Sequence, residues 1–353
     1  MRVAIVGAGV IGTVHARLIS SLADQATLVA VADIDFDRAK SLAERYGATP
    51  YPDAASAYAA EEIDAVGVCI PSAYHPDAAV AALAAGKHVL IEKPLGVSLE
   101  GVDRLIAAER ETDRVVSTVS QRRFQPAAVF IKRAIDRGYL GRVTSGIAES
   151  AFYRSQEYYD SGGWRGTAAI DGGGALMNQG IHALDLLIWM LGAPVEVTAR
   201  TAQLAHERIE VEDVASATIT FDNGALGVLL ASTAAYPGQP VRITIHGDQG
   251  TAVMDDDRVT VFESAVADRT SVEEELALEE ELAPRDEELD ALLGDGWTSI
   301  DLAHRAQYRD WLDAITSGRA PAVSTAAGRR SLAVVLGVYE SAGRGQPVQL
   351  GEV

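Results

Sequence analysis

Two periodicities alternate along residues 1–122. Four short apolar runs read VAIVGAG, LVAVAD, AVGVCIP and HVLIEKP, and each is followed by a stretch with the apolar spacing of a helix. Such strand–helix alternation predicts a parallel sheet with helices on both faces. Two of the helical stretches stop at Gly47 and Gly86, where a left-handed residue commonly ends a helix.

The pattern changes beyond residue 122. Alternating stretches such as RVTSGIAESAFY and VASATITFDNGALGVLLAST predict antiparallel strands, and the turn sequences DNG and GDQG suit hairpins. Helical spacing returns in DLAHRAQYRDWLDAITSG and RRSLAVVLGVYESAGRG. We therefore predict an α/β protein of two domains. Residues 1–122 form a doubly wound parallel sheet, and residues 123–353 form an α+β domain with a large, mostly antiparallel open sheet.

Composition narrows the class of protein and its partners. The chain of 353 residues is too long for one ordinary core, and its 48% hydrophobic and 23% charged residues are typical of soluble globular proteins. No apolar run approaches the ~20 residues that a membrane span needs. The net charge of −20 repels nucleic acid and anionic membranes, so neither is expected as a partner. We interpret the acidic stretch 271–290 as a solvated face or an insertion without chemistry.

Cysteine usage favours a reducing compartment. Cys69 is the single cysteine, which excludes a disulfide within the chain, and we interpret it as a buried thiol. The apolar run at the N-terminus is short and ends in glycines, so we expect no secretory signal peptide. Both features predict a cytoplasmic location.

The first strand–helix connection has the spacing of a dinucleotide-binding loop. Gly7, Gly9 and Gly12 form a G-x-G-x-x-G that follows a strand and opens a helix. The first glycine permits a tight turn, the second lets the backbone approach a pyrophosphate, and the third allows close helix packing. The helix N-terminus supplies N–H groups to the phosphates. We predict that this loop, with Val10 and Ile11, binds a dinucleotide; the alternative is a packing turn without ligand.

An acid at the end of the next strand indicates which dinucleotide. Asp33 lies ~20 residues past the glycines, where a carboxylate accepts hydrogen bonds from the ribose hydroxyls and repels a 2′-phosphate. No arginine follows it directly, because Ile34 is next and Arg38 lies further along. NAD is therefore the predicted cofactor, and NADP is less favoured. Asp33 could instead cap a helix, although Asp35 or Asp37 fits that role better.

A lysine at the end of a predicted strand is the first catalytic candidate. The run HVLIEKP ends in Glu92, Lys93 and Pro94. Ligands of open α/β sheets bind outside the carboxyl ends of the strands, and a residue before proline is held extended. Lys93 is thus expected to point toward the cofactor. A surface charge is the alternative for a strand-end lysine taken alone.

Several motifs together resemble one family. VAIVGAGVIGTVHARL, PSAYHPDAAVAALAAGKHVLIEKPLG, QRRFQP, WRGTAAIDGGGALMNQGIHALDLL and GRRSLAVVLGVYESA are similar to segments of the Gfo/Idh/MocA oxidoreductases, and they follow the expected order. The resemblance implies a Rossmann domain, a Lys-Pro peptide that is often cis, and an open C-terminal sheet that often forms homodimers or homotetramers. It also implies oxidation or reduction of a secondary alcohol on a sugar, sugar derivative or cyclitol.

A polar pair stands on an otherwise apolar helix in GGGALMNQGIHALD, residues 172–185. Asn178 and His182 are four residues apart and so share a helix face. The glycines would let the backbone pass close to a ligand or to the cofactor domain. In the family pattern, an acid four residues before the histidine acts with the histidine and the lysine. Here those positions hold Asn178, His182 and Lys93, and asparagine cannot take a proton. A core histidine is the alternative.

These three residues form the predicted catalytic set. His182 takes the proton of a substrate hydroxyl as general base, and Lys93, kept as ammonium, stabilises the developing alkoxide while hydride passes to the nicotinamide. Asn178 holds a neighbouring hydroxyl. We expect Lys93 and His182 to converge in a cleft between the two domains.

The resemblance adds further positions to the site. Those expected to bind the cofactor, besides the glycine loop and Asp33, are Pro71, Ser72, His75, Glu92, Lys93, Gln121, Trp164 and Arg165. Those expected to bind the substrate are Lys93, Arg123, Tyr153, Asn178, His182 and Tyr236. Asp185 follows His182 by three residues, but no third ligand has suitable spacing, so we predict no metal.

Two other functions remain open at this point. One is a regulator that binds a dinucleotide without turnover, against which the presence of both Lys93 and His182 argues. The other is a glycosidase or lyase that oxidises a sugar carbon transiently and eliminates at its neighbour. The sequence does not identify the sugar, the carbon, the direction of reaction or the size of the oligomer.

Overall fold

A computed structural model describes residues 1–277 and 296–351 of the chain. The part of the acidic stretch 271–290 that follows residue 277 lies outside the described residues, as do residues 352 and 353. No helix of the described chain is both long and apolar enough to cross a membrane.

The chain divides into two compact units. The first contains Met1–Ser120 and His304–Arg329, and the second contains Gln121–Ala303 and Arg330–Val353. The division predicted from sequence placed all of residues 123–353 in one domain, so the segment 304–329 departs from it. Tyr308 of this segment packs in the first unit, because its side chain is fully buried and its hydroxyl bonds His15. A helical pattern shows that a face is buried but not which core it joins.

The first unit is the predicted doubly wound parallel sheet. Its strands, in chain order, are β1 Arg2–Val6, β2 Thr27–Ala32, β3 Thr49–Tyr51, β4 Ala65–Val68, β5 His88–Ile91 and β6 Val116–Thr118. They lie in the order β3-β2-β1-β4-β5-β6, and every pairing is parallel. Helices cover both faces, which is why these strands read as continuous apolar runs rather than alternating ones. The helices are α1 Val10–Ser20, α2 Phe36–Tyr46, α3 Ala54–Ala60, α4 His75–Ala84 and α5 Leu99–Arg110.

The second unit is built on the predicted mostly antiparallel sheet. Its strands are β7 Val143–Ala151, β8 Pro194–Ala202, β9 Val214–Phe221, β10 Leu226–Ser232, β11 Arg242–Gly247, β12 Gly250–Asp255, β13 Arg258–Ser264 and β14 Val348–Gln349. The order is β13-β12-β11-β7-β10-β9-β8-β14, and the pair β7–β10 is parallel whereas its other pairings are antiparallel.

The helices beyond residue 120 are α6 Pro126–Asp136, α7 Gln156–Asp160, α8 Ile181–Leu191 and α9 Arg269–Ala277, followed by the long helices α10 Ser299–Ser317 and α11 Thr325–Arg344. Of these, α6, α8 and α9 pack on strands of the second unit's sheet, whereas most of α10 belongs to the first unit. Leu184, Leu187 and Leu191 of α8 are buried, and this helix packs on β7, β10 and β11. The alternation along β10 places Leu229 in that core and leaves Val228 outside. The core of the second unit therefore lies between α8 and the sheet.

Candidate functional site

The glycine loop of the first unit has the geometry that a dinucleotide loop requires. Gly7 has a φ of +103°, and a Cβ there would lie 2.3 Å from the carbonyl oxygen of Cys69. A Cβ on Gly12 would lie 1.9 Å from the carbonyl oxygen of Gly7, so the helix can pack this closely only without a side chain. A Cβ on Gly9 would meet no described atom within 4 Å. The backbone at Gly9 and the exposed first turn of α1, where Val10 is 80% exposed, can therefore be approached by a phosphate.

Asp33 braces this loop from the end of β2. Its Oδ2 accepts a hydrogen bond from the amide of Ala8 at 2.6 Å, and its Oδ1 accepts one from the amide of Asp35 at 2.8 Å. The helix cap is Asp35, as expected, because its carboxylate accepts from the amide of Arg38. Asp33 is thus held beside the loop at the position where a ribose diol would meet it.

A groove of about 420 Å³ lies along this edge of the first unit. It is lined by Ala8, Thr13, Asp35, Asp37, Arg38, Ser41, Leu42 and Arg45. Of the two arginines that line the groove, Arg38 is paired with Asp35, with 3.0 Å between its Nε and Oδ2 of the carboxylate. The carboxylates of Asp33, Asp35 and Asp37 make this edge unfavourable for a 2′-phosphate, which agrees with NAD rather than NADP.

The loop after β4 is tied to the Lys93–Pro94 segment. Pro71 and Ser72 begin a short 3₁₀ turn, and His75 begins α4. The His75 ring lies 2.7 Å from the carbonyl oxygen of Pro94 and 2.7 Å from that of Ile70. Burial lowers the pKa of His75. The contact that the structure shows for His75 is with the protein backbone, and its role toward the cofactor stays a prediction, as do those of Pro71 and Ser72.

Lys93 follows the carboxyl end of β5, as predicted, and its peptide bond to Pro94 is cis. The carboxylate of Glu92 turns into the interior of the first unit, where Oε1 lies 2.9 Å from Nε2 of His15. Its Oε2 accepts a hydrogen bond from the amide of Lys93 at 3.0 Å. Burial disfavours the charge on Glu92, but His15 and Lys93 outweigh it and hold the pKa of Glu92 well below its usual range. The Glu92 side chain therefore bonds His15 and the Lys93 amide, and its predicted contact with the cofactor stays a prediction.

Asn178 and His182 lie on two different kinds of helix. Asn178 is in a π-helical turn, Leu176–Gly180, and His182 is in the first turn of α8. The amide of Ile181 donates to the carbonyl of Leu176, five residues back. π turns inside α-helices occur frequently at functional sites. The sequence pattern predicted one continuous α-helix, because periodicity does not reveal a single inserted residue.

The glycines before this turn are required by two partners from distant parts of the second unit. A Cβ on Gly173 would lie 2.1 Å from the hydroxyl of Tyr339, and one on Gly174 would lie 1.8 Å from the carbonyl oxygen of Glu212. The Glu212 carboxylate accepts hydrogen bonds from the amides of Gly174 at 2.9 Å and Leu176 at 2.8 Å, and from the Tyr339 hydroxyl at 3.0 Å. Burial raises the pKa of Glu212 despite these bonds. Sequence reasoning missed Glu212, although three consecutive glycines do signal that something lies against the backbone.

A second missed residue, Asp171, supplies a carboxylate beside Asn178. The side-chain amide of Asn178 donates to Oδ1 of Asp171 at 2.9 Å and to the carbonyl of Gly173 at 3.0 Å. Asp171 is buried, and its Oδ2 accepts from the amide of Gly166 at 2.8 Å. The two donors of the Asn178 amide are thereby used, so any role toward a substrate hydroxyl falls to its carbonyl oxygen, which accepts.

Arg123 and Asp185 form a buried bidentate ion pair. The Nε and Nη2 atoms of Arg123 each lie 2.7 Å from an oxygen of Asp185, and the hydroxyl of Ser331 donates to the same carboxylate at 2.9 Å. The Arg123 guanidinium also lies over the ring of Trp189 at 5.5 Å. The guanidinium of Arg123 is thus bound to side chains of α8. Its contact with a substrate stays a prediction. Asp185 fixes α8 to its surroundings within the second unit.

The remaining candidates form an aromatic and cationic surface in the second unit. Tyr153 and Tyr236 meet edge to face at 5.0 Å, and they are 42% and 80% exposed. The Arg165 guanidinium lies 5.2 Å from the ring of Trp164 and 4.6 Å from that of Tyr158. Arg154 lies over the same Tyr158 ring at 4.9 Å. Aromatic faces with neighbouring guanidinium groups suit a flat or anionic ligand, and contact of these side chains with a ligand stays a prediction.

Gln121 begins the second unit in a short 3₁₀ turn, Gln121–Phe124. It is buried, and its Oε1 has no hydrogen-bond partner among the described residues. A buried acceptor without a partner is costly, and a ligand donor would relieve that cost.

The predicted catalytic residues fall into two groups, one in each unit: Lys93 belongs to the first, and Asn178 and His182 belong to the second. Their convergence stays a prediction.

Comparisons with known proteins agree with this geometry. Residues 1–120 match the model of an oxidoreductase family with an NAD-binding Rossmann fold, and residues 129–253 match the Gfo/Idh/MocA C-terminal domain. Over 270 residues, the chain is 32% identical to myo-inositol 2-dehydrogenase of Thermotoga maritima, an alignment that covers 74% of this chain and 77% of that protein. It is 31% identical over 277 residues to inositol 2-dehydrogenase of Rhizobium meliloti, covering 76% and 79%.

A solved structure extends the similarity over the whole chain. The WlbA dehydrogenase of Bordetella pertussis, determined in complex with NADH and UDP-GlcNAcA, matches with a TM-score of 0.88 at 30% identity, covering 100% of this chain and 98% of that one. The fold, the glycine loop with its acid and the family match point to the same cofactor. The chain belongs to the Gfo/Idh/MocA family and is an NAD-dependent oxidoreductase.

Proposed function

We propose that the chain transfers hydride between NAD and a secondary alcohol of a sugar, sugar derivative or cyclitol, with Lys93, His182 and Asn178 as its catalytic residues. The observation that carries this proposal is the position of Lys93, just after the carboxyl end of β5. The backbone amide of Lys93 donates a hydrogen bond to Oε2 of Glu92 at 3.0 Å. Ligands of such sheets bind outside the carboxyl ends of the strands. The dinucleotide loop lies at the same edge, after β1.

Each residue has a role that its chemistry allows. His182 accepts the proton of the substrate hydroxyl as general base, and it returns the proton in the reverse reaction. Lys93, as ammonium, stabilises the negative charge that develops on the substrate oxygen. The carbonyl of Asn178 accepts from a neighbouring hydroxyl, while its amide stays with Asp171. Gly9 and Asp33 would hold the pyrophosphate and the ribose of the dinucleotide, whose nicotinamide would supply the hydride acceptor.

An inositol or free sugar is the substrate that we propose first, because the relatives at 31–32% identity are named inositol 2-dehydrogenases. A nucleotide-linked sugar acid is the second candidate. The WlbA relative was solved with UDP-GlcNAcA, and the guanidinium groups of Arg154 and Arg165 on Tyr158 would suit a pyrophosphate or carboxylate.

The proposed substrate is tested by NADH absorbance over a panel of inositols, aldoses, anhydrosugars, glycosides and UDP-sugar acids. Steady formation of NADH with one class identifies that class. Product formation without net NADH would indicate transient oxidation followed by elimination. Binding of NAD with no turnover across the panel would favour a regulator and contradict the proposal.

The proposed residues are tested by Lys93→Ala and His182→Ala. We expect turnover to fall by ~10²-fold or more in each variant, because a charge-stabilising donor or a general base is lost. NAD affinity, measured by fluorescence titration, should stay near that of the unmodified protein.

Matched controls exist for both variants. Lys87 precedes the same strand at its opposite end and donates to the carbonyl of Ile63, and His246 lies on β11. Lys87→Ala and His246→Ala should therefore retain turnover. Retained turnover in Lys93→Ala or His182→Ala would refute the assignment of that residue.

We also propose that the chain forms a homodimer or homotetramer through the outer face of the eight-stranded sheet. Ile147 of β7 pairs with Val228 of β10, and both are exposed, as are Leu226 and Leu230 on the same face. A contiguous exposed apolar patch of this kind marks an interaction surface. Val228→Glu should lower the mass measured by light scattering, whereas Leu204→Glu, on an exposed loop, should not. An unchanged mass in Val228→Glu would place the interface elsewhere.

A cytoplasmic location is part of the same proposal. Cys69 is a buried free thiol, which suits a reducing compartment.

A further inference from the structure

The core of the first unit contains a chain of polar groups that the proposed proton transfer does not use. His15, on α1, is fully buried. Its Nδ1 lies 2.7 Å from the hydroxyl of Tyr308, and its Nε2 lies 2.9 Å from Oε1 of Glu92. Cys69 and His304 adjoin the same cluster. Buried polar groups in an otherwise apolar core require an explanation.

The pKa values of His15 and Glu92 are shifted in opposite directions. Burial opposes a charge on the imidazole, but the neighbouring Cys69 and Glu92 outweigh it and raise the pKa of His15 to about 10. The pKa of Glu92 lies well below its usual range for the converse reason. Nε2 of His15 donates to the Glu92 carboxylate, because an ionised carboxylate can only accept, and Nδ1 shares a hydrogen bond with the Tyr308 hydroxyl. Buried ion pairs contribute little to stability compared with apolar residues of similar volume, so stability alone does not explain this one.

The ion pair is connected directly to the catalytic candidate. The second oxygen of Glu92 accepts from the Lys93 amide at 3.0 Å, and Nδ1 of His75 lies 2.7 Å from the Pro94 carbonyl. The backbone groups on both sides of Lys93 are thus held by buried side chains. A catalytic group held this way needs no reorganisation during the reaction.

We propose that His15 is a positioning residue: it orients the ionised Glu92 carboxylate, which fixes the Lys93 backbone and places a negative charge beside the lysine side chain. This inference rests on the proposed function, because the ammonium of Lys93 is the group that it positions. A charge of opposite sign nearby favours the ammonium form that alkoxide stabilisation requires.

A metal ion is the competing interpretation of the same cluster. One ligand atom from each of His15, Glu92 and His304 lies within 4.8 Å of the others, and all three residues are buried. Both ring nitrogens of His15 are engaged, Nδ1 by the Tyr308 hydroxyl and Nε2 by the Glu92 carboxylate, which leaves neither nitrogen for a metal. The hydrogen bonds of His15 to Tyr308 and Glu92 therefore favour the ion pair.

The first test compares His15→Leu with His15→Gln. His15→Leu should lower kcat by ~10- to 10²-fold with NAD affinity unchanged, because a misplaced catalytic group costs about this much. His15→Gln should recover most of the loss, since its amide can donate to Glu92 and its oxygen can accept from Tyr308. The matched control is His206→Gln, which alters a buried histidine–carboxylate pair with Asp213 in the second unit and should leave kcat unchanged.

The second readout is the pH dependence of kcat. In His15→Leu, the buried Glu92 carboxylate loses the partner that stabilises its charge, so it should take up a proton at a higher pH than in the unmodified protein. The pH profile of kcat should therefore gain an acid limb, a fall in kcat toward low pH that the unmodified protein lacks. Glu92→Gln should lower kcat equally at every pH, without that limb. The other titratable groups near Glu92 are Lys93, Cys69, Tyr308, His304 and His75. Loss of the limb in His15→Leu/Glu92→Gln, and its persistence in His15→Leu/His304→Gln, would assign it to Glu92.

The outcomes separate this inference from the proposed function. If Lys93→Ala is inactive but His15→Leu keeps the kcat and pH profile of the unmodified protein, the positioning role is wrong and the function stands. If Lys93→Ala is active, the function itself is wrong. If His15→Leu does not fold, His15→Gln and Glu92→Gln carry the test. One equivalent of tightly bound metal, lost in His15→Gln, would overturn the ion pair.

Discussion

Two glycine-rich connections enter helices in this protein, one in each unit, and they use the same local feature in opposite ways. The loop from Gly7 to Gly12 leaves its second glycine, Gly9, without a neighbour among the described atoms, so the amides of the first turn of α1 stay accessible. The stretch before the π turn has its amides occupied by the buried carboxylate of Glu212. An anion suits both helix starts. In the second unit the Glu212 carboxylate supplies it, and in the first unit we propose that the pyrophosphate of the dinucleotide does.

The largest expected effect separates these two uses of glycine. Gly174→Ala should lower the free energy of unfolding by about 3 kcal/mol, because its Cβ would lie 1.8 Å from the Glu212 carbonyl and overpacking costs ~1–3 kcal/mol or more. Gly9→Ala should change stability by less than ~0.5 kcal/mol and should weaken NAD binding. Urea denaturation and NAD titration measure the two quantities. Equal stability loss in both variants would mean that the two connections do not differ as described.

The pair Asn178–Asp171 gives a smaller effect. Asn178→Asp would replace a donor by a second carboxylate 2.9 Å from the first, which should cost ~1–3 kcal/mol and force the two groups to share a proton. The exchanged variant Asp171→Asn/Asn178→Asp restores one donor and one acceptor and should recover part of the loss. It also moves the carboxylate to the family's acid position, so the acid limb of the pH–rate profile should shift to higher pH.

Thermal unfolding and pH–rate profiles of the single and double variants check this prediction. No recovery of stability in the double variant would show that the two side chains do not act as a pair.

The smallest effect contrasts the two buried glutamates. The pKa of Glu92 is lowered, so its contribution to stability is present above the ordinary glutamate value of about 4.5 and is lost as pH falls. The pKa of Glu212 is raised, so its contribution is present below that value and is lost as pH rises. Each pKa unit corresponds to about 1.4 kcal/mol.

Denaturation of Glu92→Gln and Glu212→Gln between pH 4 and 8 tests this contrast. The stability gap to the unmodified protein should widen with rising pH for Glu92→Gln and narrow for Glu212→Gln. Parallel curves for the two variants would contradict the opposite assignments of charge.

Features that depend on neighbouring residues were predictable from the sequence. The glycine spacing, the acid at the end of β2 and the Lys-Pro pair at the end of β5 all lie on short segments whose strand–helix pattern is plain. The parallel sheet of the first unit and the mostly antiparallel sheet of the second were confirmed. Strand periodicity encodes these sheets because it reflects which faces are buried.

Features that depend on contacts between distant residues were not predictable from the sequence. Local pattern does not identify Glu212 as the neighbour of Gly174, Asp171 as the partner of the Asn178 amide, or Tyr308 of α10 as the partner of His15. The single inserted residue that makes the π turn also escaped the periodicity.

The sequence by itself determined the two sheets, the dinucleotide loop and the residue types available for hydride transfer. Each of these depends on the spacing of residues within a short segment and on which of its faces is buried. Only the tertiary structure decided where the buried charges go. Glu92 joins the imidazole of His15 and the amide of Lys93, whereas Glu212 joins backbone amides and a tyrosine. A carboxylate looks the same in any sequence, but its hydrogen-bond partners and its loss of water are set by chain segments that meet only on folding.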